Sequence, residues 1–143
     1  MPALVDSNVL LDIVTEDQDW REWSRRILKS MFAVDTLVIN PIIFSEFSVR
    51  FDRYDEAIAA LPDDEFRREE IPWMAAFAAA KAFVAYRRAG GTKDRPLPDF
   101  FIGAHAIVRG YRIITRDVSG YRSYFPGVEL VTPQSHPFGI LQS

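Results

Sequence analysis

Short apolar runs, each cut off by a polar residue and followed by a helical pattern, recur along this chain and narrow it to one kind of architecture. Ala3 to Val5 stops at Asp6, and the next segment, through Val14, has the character of a helix with Ser7 or Asn8 as its cap. Leu37 to Ile39 stops at Asn40, which with Pro41 supplies a cap and a first helical residue. Arg112 to Thr115 stops at Arg116-Asp117, Val128 to Val131 forms a last run, and a brief edge strand is expected near Glu70-Ile71. A strand that leads into a helix rejoins the sheet through a crossover, which makes its neighbours parallel. The pattern predicts an α/β fold, a three-layer α/β/α sandwich around a mostly parallel central sheet.

The remaining segments are helical. Trp20, Trp23, Ile27, Leu28 and Met31 follow the spacing of an amphipathic helix over 20–34. Residues 55–61 form a short helix, and the alanine-rich stretch 72–89 a long one stopped by Gly90-Gly91. A rigid lead-in at Pro96 to Pro98 opens a helix over 99–108 with Asp99 in its first turn. With 143 residues, 48% of them apolar, residues 1–133 fit one domain. Residues 134–143 are a tail, expected to be flexible or to touch a partner.

Cysteine is absent, which excludes disulfides, thiolate metal ligands and a cysteine nucleophile and agrees with a cytoplasmic setting. No apolar run is long enough for a membrane span, and no basic N-terminal leader precedes Asp6. A net charge of −3 argues against nonspecific nucleic-acid binding by the whole surface, so a nucleic-acid substrate needs a local basic patch and a metal.

Four acids stand out against this framework. Asp6 and Asp117 directly follow strands, Glu46 lies on an otherwise apolar helix face, and Asp99 is in a helix's first turn. In open parallel sheets the ligand crevice lies beyond the carboxyl ends of the strands, where all four can face one another. Each has an ordinary reading: Asp6 as a cap, Glu46 as a partner of Arg50, Asp99 as a first-turn acid, Asp117 as a turn residue. Taken together they form a pocket whose charge calls for a divalent cation, and hard oxygen donors suit Mg²⁺ or Mn²⁺.

The chain resembles PIN-domain ribonucleases of the VapC toxin family, the toxic halves of bacterial toxin–antitoxin pairs. The matching pieces are Asp6-Ser7-Asn8, Ser45-Glu46-Phe47, the run Pro98 to Ala106, and Thr115-Arg116-Asp117 followed by Tyr121 and Tyr124-Phe125-Pro126. The resemblance spans residues 2 to about 133, with Phe47 where many relatives carry leucine. It implies that Asp6, Glu46, Asp99 and Asp117 bind the metal, Asp6 and Asp99 most firmly, while Ser7, Asn8 and Thr115 orient these carboxylates and their waters. It also implies hydrolysis of an RNA substrate to a 5′-phosphate and a 3′-hydroxyl, a cognate VapB-type antitoxin, and a homodimer.

Other residues invite roles. His105 is read as a packed or partner-facing histidine, and Gly103 as a site of close packing. Arg50, Arg53, Arg87, Arg88, Lys93, Arg95, Arg116 and Arg122 are candidates for a basic rim, and Arg116, beside Asp117, is the one favoured to touch substrate. Trp20, Trp23, Trp73 and Phe77 are read as core, or as a dimer and antitoxin groove. Two other functions compete: a catalytically silent PIN-fold binding module, and an aspartyl-phosphate phosphatase built on Asp6. The phosphatase wants an acid where Asn8 stands.

Overall fold

The computed structural model describes residues 1–93 and 97–141, so Arg95 of the expected rim and Pro96 of the expected lead-in lie outside the described residues. Its elements follow in the order β1 (Ala3–Val5), α1 (Ser7–Val14), α2 (Arg21–Phe32), β2 (Leu37–Ile39), α3 (Pro41–Ser48), α4 (Tyr54–Ala60), β3 (Phe66–Arg68), α5 (Trp73–Arg88), α6 (Pro98–Arg109), β4 (Arg112–Ile114), α7 (Ser119–Tyr124) and β5 (Leu130–Val131). The five strands form one sheet in the order β3-β2-β1-β4-β5, and every pairing is parallel. The expected α/β architecture is borne out.

The three central strands are buried along their whole length or nearly so, which is why they read as continuous apolar runs and not as alternating ones. The chain leaves β1 towards β2 on one side and later returns to place β4 on the other. The connection therefore reverses at the carboxyl end of β1, the place where open α/β sheets open a crevice.

Several local features differ from expectation. Asp6 itself caps α1: its backbone is extended and its side chain accepts the Ser7 N–H, so Ser7 is already helical. The edge strand β3 falls at Phe66–Arg68, earlier than Glu70-Ile71, because Phe66 pairs in register with Leu37 and closes the core at the sheet edge. Helix α5 buries Ala75, Ala79 and Ala82, at i, i+4 and i+7, while Trp73 is 92% and Phe77 66% exposed. Neither aromatic is therefore a core residue: small side chains let α5 lie close to its neighbours and turn the bulky ones outwards.

The other expectations hold locally. Asn40 accepts the Ile43 N–H as the cap of α3, with Pro41 at its first turn. Gly110 adopts φ 72° at the end of α6, a left-handed cap that glycine takes without a Cβ penalty. Gly103 packs against Phe125, whose ring would lie 2.3 Å from an added Cβ. The tail, expected to be flexible, lies along α2 as far as Leu141. Trp23 Nε1 donates to the His136 carbonyl (2.6 Å) and the Leu141 N–H to Ser30 Oγ (2.9 Å). Among the described residues no helix is long and apolar enough to cross a membrane.

Candidate metal centre

Asp6 is the centre of the pocket. Its carboxylate is 4% exposed, and four donors surround it. The Ser7 N–H reaches Oδ1 at 2.8 Å, while Oδ2 accepts from Thr115 Oγ1 (2.8 Å), Tyr121 Oη (2.9 Å) and, at 3.5 Å, Asn8 Nδ2. A carboxylate offers about four lone-pair sites, so Oδ2 is filled and Oδ1 keeps one free. Burial pushes the Asp6 carboxyl above its usual range, and the negative charge of Asp117 adds to this. The bonds from Thr115, Tyr121 and Ser7 pull the other way.

The other acids share its field. Asp99, half-buried in the first turn of α6, is pushed up to about 6, first by burial and then by the charges of Asp6 and Asp117. Glu46 on α3 is raised by burial and by the charges of Asp6 and Asp99, while Ser7 Oγ donates to its Oε1 at 3.2 Å. No ion pair joins Glu46 to Arg50 among the described residues. Asp117 is exposed, and its Oδ1 accepts from the Ser119 N–H and hydroxyl. The four acids thus meet at one end of the sheet, where the charges of Asp6, Asp99 and Asp117 bear on their neighbours.

Thr115 fixes the floor of this pocket. Its single hydroxyl proton goes to Asp6, and its oxygen accepts from the Asp117 N–H (3.0 Å) and Asn8 Nδ2 (3.3 Å). Ser7, Asn8 and Thr115 therefore all touch the acidic residues or one another.

Carboxylate oxygens are the donor type that hard divalent cations take. Among the described residues, however, no group of three or more acidic or histidine side chains is arranged so that it could hold a metal ion. An open set of carboxylates is what Mg²⁺ accepts, because it keeps several waters and takes substrate oxygens as further ligands. Carboxyl groups raised by burial and by neighbouring negative charge, as at Asp6, Glu46 and Asp99, are also what a cation would relieve.

Three residues depart from their expected roles or were not foreseen. Arg116 does not face the pocket: its Nε and Nη2 bind the two oxygens of Asp12 at 2.7 and 2.8 Å, and its guanidinium lies 5.2 Å from the centre of the Trp20 ring. The fork that would grip a phosphate is thus taken. Asp12, 3% exposed, was missed, although an acid inside the apolar run Val9 to Val14 is the same kind of signal as Glu46. Nothing in the sequence marks Tyr121 beyond its place in the motif that follows Asp117. It is fully buried, with its hydroxyl on Asp6 and 3.4 Å from Asp99. Burial and the charges of Asp6, Asp99 and Glu46 raise its phenol strongly, so it stays protonated and donates.

His105 is packed. Asn40 Nδ2 lies 3.0 Å from its Nδ1, and its Nε2 lies 3.1 Å from Glu69 Oε1. An amide can only donate to Nδ1, so the ring carries its proton on Nε2. Of the expected rim, Arg53 pairs with Asp55 and Arg87 binds the carbonyls of Gly91 and Lys93.

Comparison with known proteins agrees with this fold. No curated protein matches the sequence. The fold is similar to that of VapBC2 from Rickettsia felis, solved with a DNA fragment from their promoter (TM-score 0.71, 14% identity, 92% of this chain and 98% of that one). It is similar to VapBC-1 from nontypeable Haemophilus influenzae (0.69, 16%, 92% and 98%). A toxin–antitoxin complex from Klebsiella pneumoniae is a further match (0.65, 24%, 92% and 97%). At these identities the likeness is one of fold. The model of the PIN domain family matches residues 3–123, which takes in every segment that carries an acid of the pocket. The chain belongs to the PIN domain family.

Proposed function

We propose that this chain is a metal-dependent endoribonuclease toxin of the VapC kind, which hydrolyses RNA phosphodiester bonds and is neutralised by a cognate antitoxin. The observation that carries the reading is the convergence of Asp6, Glu46, Asp99 and Asp117, with two of them, Asp6 and Asp99, raised by burial and by Asp117. Asp6 and Asp99 would hold Mg²⁺ or Mn²⁺ directly, with Glu46 and Asp117 completing the site. Bound there, the ion supplies Lewis acidity and a water of lowered pKa.

The protein's own groups prepare the site. Thr115 and Tyr121 hold Asp6 Oδ2, the Ser7 N–H holds Oδ1, and Ser7 Oγ orients Glu46, so the carboxylates are set before substrate arrives. Asn8 bridges Thr115 and the Arg116 backbone N–H. Its amide cannot serve as the acid that a phosphatase would place there.

The likeness to VapBC complexes supports an antitoxin partner as a further part of the proposal, and a homodimer belongs to it only as the family resemblance implies. Cleavage of a mixed RNA pool with Mg²⁺ or Mn²⁺, with EDTA, and by Asp6→Ala and Asp99→Ala variants tests the central claim. Cleavage confined to the wild type with metal is expected. Equal cleavage by the variants, or cleavage that survives chelation, would sink it.

A further inference from the structure

The Asp12–Arg116 contact has no place in the chemistry just described, yet it is among the most completely formed polar contacts in the molecule. Asp12 lies on α1, is 3% exposed, and accepts three bonds: two from Arg116 and one from Ser24 Oγ on α2 at 2.7 Å. Arg116 has its guanidinium over Trp20, at the start of α2, and its backbone N–H on Asn8 Oδ1 (3.2 Å). A planar fork on a carboxylate fixes direction as well as distance. Arg116 is thereby held at both ends, by backbone and by side chain.

The residue stands between the two groups that matter most in its segment. Thr115 before it donates to Asp6, and Asp117 after it contributes charge to the pocket. Residues 115–118 belong to no helix or strand, so β4 alone does not decide which way Asp117 points. A partly buried ion pair contributes little net stability once desolvation is counted. What it can supply is a fixed conformation.

We propose that Arg116 is a positioning residue: clasped by buried Asp12 and laid on Trp20, it holds the 115–118 turn so that Asp117 faces Asp6 and Asp99. The proposal rests on the nuclease reading for its kinetic consequence but not for its structural one. It replaces a substrate-binding role for Arg116 with one exerted through Asp117.

The two roles predict different measurements. For Arg116→Ala and Asp12→Asn, positioning predicts kcat reduced by roughly 10–100-fold, a higher Mg²⁺ requirement and an unchanged KM for RNA. Loss of a phosphate contact would instead raise KM and lower the salt slope of RNA binding by about one. Because both residues act through one contact, the double variant should be no worse than Arg116→Ala. Arg116→Lys, which keeps the charge but loses the fork, should recover only part of the activity.

Amide exchange and ¹⁵N relaxation across 115–119 give a readout independent of cleavage. In Arg116→Ala that turn should become mobile while the sheet amides stay protected. A turn as ordered as in the wild type, or a KM effect with kcat intact, would overturn the proposal. If the wild type cuts no RNA with metal, the nuclease reading fails, and the relaxation result still decides whether Arg116 orders the turn.

Discussion

The Tyr121 hydroxyl donates to Asp6 Oδ2 across 2.9 Å, from a side chain with no solvent exposure. A buried phenol among carboxylates is a donor that cannot ionise, so it holds Asp6 in place and fills one of its lone pairs.

Tyr121→Phe removes that donor while keeping the ring. Loss of a hydrogen bond to a charged group should cost about 1–3 kcal/mol in urea unfolding of the metal-free protein. RNA cleavage should fall by roughly 10–100-fold, the usual scale for groups that orient metal ligands. Unchanged cleavage in a folded Tyr121→Phe protein would remove Tyr121 from the site.

Metal-free stability should depend on Asp99. Its folded-state value of about 6 lies above the ordinary 3.8, so between those values the folded protein holds a proton that the unfolded chain releases. The penalty is absent at low pH, grows through this window and is complete above it. Asp99→Asn should therefore melt higher than wild type in EDTA at about pH 7.5, and the gap should close by about pH 4. A variant less stable than wild type at neutral pH would contradict this.

His105 should work in the opposite direction. Burial lowers its value below the ordinary 6.5, against the pull of Glu69, so as pH falls through that region the unfolded chain takes up a proton that the fold resists. This contribution is present above the unfolded value and lost below it. Relative to wild type, His105→Gln should lose less stability between about pH 7 and pH 5 in chemical denaturation. A steeper acid loss in the variant would show that the ring is charged in the fold.

Gly103→Ala puts a methyl group where the Phe125 ring lies, at 2.3 Å from its Cδ2. Overpacking of this kind typically costs about 1–3 kcal/mol. Thermal unfolding should show that loss, and Phe125→Leu in the same chain should recover part of it. Full stability of Gly103→Ala alone would mean that the ring moves aside freely.

Much of this was legible in the sequence because the relevant signals are local. Strand runs of three buried residues, the Asn40-Pro41 helix start and the placement of Asp6 and Asp117 after strands each follow from neighbouring residues. Arg116 was misread for the opposite reason: its partner Asp12 lies 104 residues away, and nothing near either residue announces the contact. Of the two readings of Trp73 and Phe77, core or a dimer and antitoxin groove, the core one fails because helical spacing marks a shared face without saying whether that face is inward. The alanines of α5 took the inward face because they allow a closer approach.

The strand order has a consequence in time. The acids come from residues 6, 46, 99 and 117, and β4, which precedes the last of them, pairs with β1 near the start of the sequence. No N-terminal piece short of residue 117 holds all four, and loop-closure entropy opposes the β1–β4 pairing until the intervening elements have folded. During synthesis the pocket therefore cannot come into being before residue 117 has been made, and a chain that ends short of it is left without one of the four acids.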